Sequence, residues 1–244
     1  MKLYGCPNSR SLRAAWALEE AAADYDYVPV DLFKGEARTP EFLALNPAGK
    51  LPVLVDGDLT LTESAAIVNY VSDRFPASKL VPQSAAARAD CLRWMFFATT
   101  ELEQPLWTIA KHRFALPKAR RVGGIENTAQ WEFAIAAQQL DTAVGEREFI
   151  CGNVFTGADI LLAHTLAWAR SAKITLESPR LTAYMERLLA RPALARAPAR
   201  GRQITGAPAR HSALMPACLT TRTYLSISLL IVAPNCSGVS PIGS

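Results

Sequence analysis

The sequence predicts two architectures in one chain: a small α/β domain at the front and an all-α domain behind it. Three observations carry this. Strand and helix patterns alternate over residues 1–76 of a 244-residue chain. A stretch rich in Pro and Ser, residues 76–84, then breaks the pattern. Beyond it, helical spacing runs almost to residue 200.

Lys2, Leu3 and Tyr4 read as a short strand, ended by Gly5 and Pro7. Residues 11–22 have helical spacing, with Leu12, Ala15, Trp16 and Leu18 on the apolar positions. Tyr27, Val28 and Val30 mark a second strand. A helix between two strands makes a parallel βαβ unit the economical arrangement. Residues 34–45 form a looser helical segment that runs into Asn46-Pro47-Ala48-Gly49, a loop signal. Leu51-Pro52 opens a β-branched strand, and proline there fits a strand entrance or an edge. Asp56-Gly57-Asp58 turns the chain. The return strand leads to Glu63-Ser64, at the head of a helix over residues 64–74. The order β-α-β-α-β-β-α is that of a thioredoxin-like domain over residues 1–76, with a linker at 77–84.

The helical domain spans residues 85–200. Residues 85–110 have the length of one long helix interrupted at Pro105, and residues 129–144 form another. Thr156-Gly157-Ala158-Asp159 precedes an apolar run over residues 160–168 and reads as a capping box, its hydroxyl and carboxylate meeting orphan N–H groups. Residues 181–190 form a final helix, stopped by Arg191-Pro192. Residues 201–244 mix Pro, Gly, Ser and Thr without a sustained period and read as an irregular tail, disordered or weakly docked, in which residues 224–232 have strand character.

Composition excludes several classes of function. A net charge of +4, without a Lys/Arg run carrying interleaved aromatics, argues against nucleic-acid binding. The longest apolar run, residues 224–233, is about half of what spans a bilayer, so no membrane partner is expected. Cys6, Cys91, Cys151, Cys218 and Cys236 lack metal-ligand spacing, form no Cys-x-x-Cys pair and are odd in number. They read as mostly reduced thiols in a cytoplasmic protein without a metal. The opening residues form a strand pattern rather than a signal peptide.

The stretch from Gly49 to Ile67 carries the most chemistry. It sets free backbone groups, a carboxylate, a hydroxyl and a helix N-terminus near one another, a combination suited to a small peptide with its own carboxylates and amine. Ser64 can offer its N–H and hydroxyl to a carboxylate at the helix N-terminus, and Glu63 can pair with an ammonium. The plainer alternative is that either residue caps its own helix.

Residues 1 to about 200 resemble a bacterial cytosolic glutathione S-transferase of serine type. The matching pieces are Leu3-Tyr4-Gly5 with Ser9-Arg10-Ser11, Trp16 with Leu18-Glu19-Glu20, Asn46-Pro47 with Gly49-Lys50-Leu51-Pro52-Val53-Leu54, Glu63-Ser64 with Ile67, and Gly157 with Asp159-Ile160. The resemblance implies the glutathione transferase fold, a homodimer, and conjugation of glutathione, as co-substrate, to small hydrophobic electrophiles in detoxification. Peroxidase activity stays open beside it. It makes the Leu51-Pro52 bond cis, so that the Leu51 backbone pairs with the peptide, and it brings Lys50 and Lys34 toward the glycyl carboxylate.

Glutathione is nucleophilic only as thiolate, and a free thiol titrates near about 8.5. A donated hydroxyl and nearby positive charge favour the anion. Ser9 is the expected donor, with Ser11 next and Arg10 or Arg13 adding positive potential; the alternative for Ser9 is a plain N-cap. Cys6-Pro7-Asn8-Ser9 also looks like the motif of monothiol glutaredoxins, which opens a thiol-disulfide or dehydroascorbate reductase using Cys6. A non-catalytic glutathione-binding protein is the third reading. The electrophile pocket is expected from Trp94, Phe97, Leu106, Trp107, His112, Arg113 and Phe114, with Trp107, His112 and Phe114 as its leading candidates. The alternative for each is helix-bundle core.

Overall fold

The computed structural model describes residues 1–198. The tail expected over 201–244 lies outside the described residues, as do Cys218 and Cys236. The N-terminal domain is thioredoxin-like, in the order β1 (Lys2–Gly5), α1 (Ser11–Glu20), β2 (Asp26–Pro29), α2 (Pro40–Leu45), β3 (Val53–Asp56), β4 (Leu59–Thr62) and α3 (Ser64–Arg74). Its mixed sheet has the strand order β2-β1-β3-β4. β1 and β2 pair in parallel, as a helical crossover requires, while β3 runs antiparallel to both β1 and β4. The helical domain follows as α4 (Ala85–Phe97), α5 (Glu103–Ala110), α6 (Ile125–Val144), α7 (Gly157–Ser171), α8 (Pro179–Leu189) and α9 (Pro192–Arg196). Among the described residues no helix is long and apolar enough to cross a membrane.

Three elements differ from their sequence reading. The segment over 34–45 is α-helical only in α2. Gly35 at φ 77° and the Thr39-Pro40 start confine the residues before it to a single 3-10 turn, and the Thr39 hydroxyl caps α2 by accepting from the Phe42 N–H at 3.3 Å. The long helix over 85–110 breaks earlier than Pro105, at a π-helical turn over Ala98–Leu102. There the Thr99 and Thr100 hydroxyls donate back to the Phe96 carbonyl at 2.9 and 3.1 Å. Pro105 itself sits in the first turn of α5, where a missing N–H is tolerated. Finally, Pro192 does more than end α8: it starts α9, whose Arg196 reaches Glu19 at 3.0 Å. Arg191, just before α9, pairs with Glu20 at 2.6 Å and lies over the Phe155 ring. Both arginines fasten the end of the helical domain to α1.

One continuous core joins the two domains. Trp16, Leu18, Ile67 and Val71 of the α/β half are buried in the same cluster as Leu102, Leu106, Ile160 and Leu162 of the helical half. Gly157 sits where the two halves pack tightly. Its N–H donates to the linker carbonyl of Leu80 at 2.7 Å, and a Cβ placed on it would lie 2.5 Å from Val68 Cγ1 of α3. Valine has little rotamer freedom with which to yield. Gly157→Ala is therefore expected to destabilise the protein by about 1–3 kcal/mol. Urea unfolding checks this, and Val68→Ala in the same background should recover part of the loss. An unchanged midpoint would show that the interface has slack.

Candidate functional site

Sheet register assembles the site. Tyr4 pairs with Val53, and Val53 pairs with Thr62. The C-terminal end of β1 thus lies beside the start of β3 and the end of β4. That brings three segments to one end of the sheet: the loop over residues 6–10, Leu51-Pro52 and Glu63-Ser64. The Leu51-Pro52 peptide bond is cis. Asn46, buried, steadies the approach to it by donating from Nδ2 to the Lys50 carbonyl at 2.8 Å and accepting from the Ala48 N–H at 3.1 Å.

Glu63 is held at φ 66°, ψ 116°, a backbone region that a side chain of its size rarely occupies. Such strain persists where the surroundings impose it, and it gathers at ligand sites. Glu63 is exposed, whereas Ser64, first residue of α3, is buried. The Ser64 hydroxyl accepts from Arg13 at 3.4 Å.

The β1–α1 loop is a ring of hydrogen bonds. Ser9 Oγ donates to the Cys6 carbonyl at 2.7 Å and lies 2.9 Å from Ser11 Oγ. Ser11 Oγ in turn accepts from the Cys6 N–H at 3.3 Å. Asn8 takes a left-handed φ of 57° to make the bend. The Cys6 thiol turns instead toward the loop at Asp31 and Leu32. Burial pushes its pKa up; a hydrogen bond from the Leu32 N–H opposes that, and the Asp31 charge adds to it.

Behind this loop lies a buried charge cluster. Arg13 is fully buried, and burial pulls its pKa down while the Glu103 carboxylate resists. It donates to Glu103, to Thr165 Oγ1 at 2.8 Å and, through Nε, to His164 Nδ1 at 3.1 Å. His164 Nδ1 is thereby an acceptor, which leaves the Nε2 proton for the Ser9 carbonyl at 3.2 Å. Burial, with Arg13 and Arg10 nearby, holds the His164 pKa well below its ordinary value, so the ring is neutral. Burial alone would raise the Glu103 pKa; Arg13 and Arg10 outweigh it and bring it below the usual range.

Arg10 Nε meets Glu103 Oε1 at 2.5 Å, and its guanidinium is 5.1 Å from the ring centres of both Trp107 and Trp168. Trp107 is thus beside the loop that carries Ser9. His112 and Phe114 serve a different turn: His112 Nδ1 accepts from the Val122 N–H at 2.9 Å, and the Phe114 carbonyl accepts from Arg121 at 3.0 Å. Arg113 is paired with Glu126 at 2.8 Å. Trp94 and Leu106 are core. Lys34 is exposed, 3.5 Å from Asp31, and Lys50 is exposed beside Leu51. Among the described residues no group of three or more His, Cys, Asp or Glu side chains is placed to hold a metal ion.

Sequence reasoning did not find Glu103, His164, Thr165 or Trp168. Their signal was faint. His164 and Thr165 are the two adjacent polar positions inside the apolar run over 160–168, and Glu103 is a lone acid between Leu102 and Pro105.

Comparison with known proteins finds matches in both the α/β and the helical part of the chain. Residues 1–73 match the family model "Glutathione S-transferase, N-terminal domain", and residues 133–187 match "Glutathione S-transferase, C-terminal domain". Glutathione S-transferase GstA of Escherichia coli O157:H7 is 32% identical over 199 residues, covering 79% of this chain and 94% of its own length. Among solved structures, the ternary complex of BphK, a bacterial GST, is 30% identical with a TM-score of 0.72, covering 81% of this chain and 97% of that one. A glutathione transferase homologue from Sulfitobacter with bound glutathione is 27% identical with a TM-score of 0.71, covering 80% and 94%.

Proposed function

We propose a reaction for a chain that belongs to the glutathione S-transferase family: Ser9 stabilises the thiolate of bound glutathione, which is then added to a small hydrophobic electrophile. The protein is a transferase enzyme, as its curated relatives are. The observation that carries the proposal is the convergence of the Ser9 loop, Leu51-Pro52 and Glu63-Ser64 at one end of the sheet.

In this reading the Leu51 backbone pairs with the peptide, Ser64 and the first N–H groups of α3 meet the γ-glutamyl carboxylate, and Glu63 pairs with the γ-glutamyl ammonium. Lys50, and with it Lys34, is proposed for the glycyl carboxylate. The Ser9 proton now rests on the Cys6 carbonyl. Rotation about a single side-chain bond turns it toward the ligand sulfur, while Ser11 Oγ stays beside the loop. Arg10 supplies positive potential, and Trp107 opens the electrophile pocket, with His112 and Phe114 further along the same chain segment. Residues 1–76 are taken as the glutathione-binding domain, 77–84 as the linker and 85–200 as the helical domain. A cytoplasmic homodimer acting in detoxification completes the proposal.

Ser9→Ala tests it. A hydrogen bond to a charged acceptor is worth about 1.5–3 kcal/mol, which is a fall of roughly 10- to 100-fold in conjugation rate. Glutathione binding, followed by calorimetry, should change little. Unchanged turnover would remove Ser9 from the mechanism. Cys6→Ser separates the reductase reading, since it should abolish thiol-disulfide exchange only if Cys6 is the nucleophile. Its raised pKa speaks against that role, because the thiolate is the attacking form.

A further inference from the structure

Charge does not balance in the cluster behind the Ser9 loop. One carboxylate serves two guanidiniums: Glu103 Oε2 accepts from Arg13, and Oε1 accepts from Arg10 Nε at 2.5 Å. His164, which accepts from Arg13, is neutral. Two cations and one anion leave one positive charge over. The side chains of Arg13 and Glu103 are only 1% and 8% exposed, whereas that of Arg10 is 32% exposed. The surplus charge therefore reaches solvent at Arg10, the residue next to Ser9.

Arg10 is also held still. Its carbonyl accepts the Arg13 N–H at 3.1 Å as α1 begins. With Nε fastened to Glu103, its guanidinium carbon lies over the Trp107 and Trp168 rings, 5.1 Å from each centre and within the range of cation–π attraction. The two indoles come from α5 and α7, and both are partly exposed. Nε spends its N–H on Glu103. Among the described residues, the two terminal nitrogens meet no hydrogen-bond acceptor.

The roles already given to Arg10 leave those nitrogens unused. Arg13 by itself neutralises Glu103. A thiolate at Ser9 uses the field of a nearby cation, which acts at a distance and needs no oriented N–H groups. The paired N–H groups of a planar guanidinium match the two oxygens of a carboxylate. Indole faces beside them suit a flat apolar ring.

We propose that Arg10, with Trp107 and Trp168, binds the carboxylate of an aromatic electrophile, so that the preferred co-substrates are aryl carboxylates and not neutral arenes. The inference rests on the conjugation reaction proposed above and names its substrate class. With an aryl chloride, the glutathione sulfur forms a bond to the ring carbon, the carbon–chlorine bond breaks, and chloride leaves with its electron pair. The carboxylate is unchanged and serves as the handle. Trp168 is thereby a specificity residue that the conjugation reaction alone does not require.

The test compares 4-chloro-3-nitrobenzoate with 4-chloro-3-nitrobenzamide, a neutral analogue of nearly the same shape. Binding to the full-length protein is measured by calorimetry with S-methylglutathione present, a thioether that cannot react. The benzoate should bind roughly tenfold more tightly than the amide. Arg10→Gln, with folding checked by circular dichroism, should erase the difference, and Arg10→Lys should keep part of it. Trp168→Leu should weaken both probes. Equal affinity of the wild type for the two probes overturns the proposal without reference to any variant, and so does a preference that survives in Arg10→Gln. Turnover with glutathione, each rate divided by its uncatalysed counterpart, separates this inference from the reaction beneath it. Turnover of both probes without a preference sinks the carboxylate site. Selective binding without turnover of either probe sinks the conjugation reading and leaves Arg10 as an anion-binding residue.

Discussion

Glu103→Ala is expected to cost about 3–5 kcal/mol of folding free energy, because it strands a buried cation. Arg13 has no exposed surface, and Glu103 is the carboxylate that neutralises it. The acceptors left to it are neutral: Thr165 Oγ1, His164 Nδ1 and Ser64 Oγ. An exposed ion pair would be worth about 0–1 kcal/mol, so a loss of the larger size reports burial. Urea unfolding measures it. Adding Arg13→Leu should recover part of the loss, since the second change removes the stranded charge. Strictly additive losses would mean that the two residues are not an energetic pair. The Michaelis constant for glutathione should also rise several-fold, because the same cluster holds the Ser64 hydroxyl and, through His164, the Ser9 carbonyl.

The pH dependence has a definite sign. The folded-state pKa of Glu103 lies below its ordinary value. Its contribution is therefore complete above the unfolded value, near about 4.3, and is lost as pH falls through the folded value. The stability gap between the wild type and Glu103→Ala should narrow in acid.

The thioredoxin-like half was largely legible in the sequence because its signals are local. Gly5 and Pro7 end a strand, Asp56-Gly57 turns one, and Glu63-Ser64 sits where an alternating pattern meets a helical one. The parallel pairing of β1 and β2 followed from the helix between them. The capping box at Thr156 and Asp159 was readable for the same reason. The charge cluster was not legible, since its members come from α1, α3, α5 and α7, and no periodicity records which polar residue on one helix faces which on another. Arg13 could be suggested as a source of positive potential, but its partner Glu103 is 90 positions away. The break at Ala98–Leu102 was misplaced because proline is the stronger signal, whereas the back-bonded hydroxyls of Thr99 and Thr100 at the π-helical turn leave no mark in the spacing.

Asp159 sets a second buried carboxylate against the first, with a different outcome. It accepts from the Thr156 N–H at 2.8 Å, the Ile150 N–H at 2.9 Å, the Thr156 hydroxyl at 2.9 Å and the Tyr184 hydroxyl at 2.5 Å. Every partner is a donor, and the site is closed to water. Asp159→Ala leaves two backbone N–H groups and a buried phenol unpaired, at a cost of roughly 3–5 kcal/mol when each loses about 1–3 kcal/mol and relaxation recovers some. Asp159→Asn should be nearly as damaging. An amide offers one acceptor oxygen and turns its own N–H groups toward donors. Isosteric Glu103→Gln, by contrast, keeps an acceptor oxygen toward Arg13 and should be milder than Glu103→Ala. Burial pushes the Asp159 pKa up in spite of its four bonds. Its contribution is then complete below the unfolded carboxylate value, near about 3.9, and declines as pH rises through the folded value. As pH rises, the penalty of Glu103→Ala should grow up to about 4.3, whereas that of Asp159→Ala should shrink above about 3.9. Urea titrations of both variants at several pH values decide the matter, and parallel profiles would show that charge burial does not distinguish the two sites.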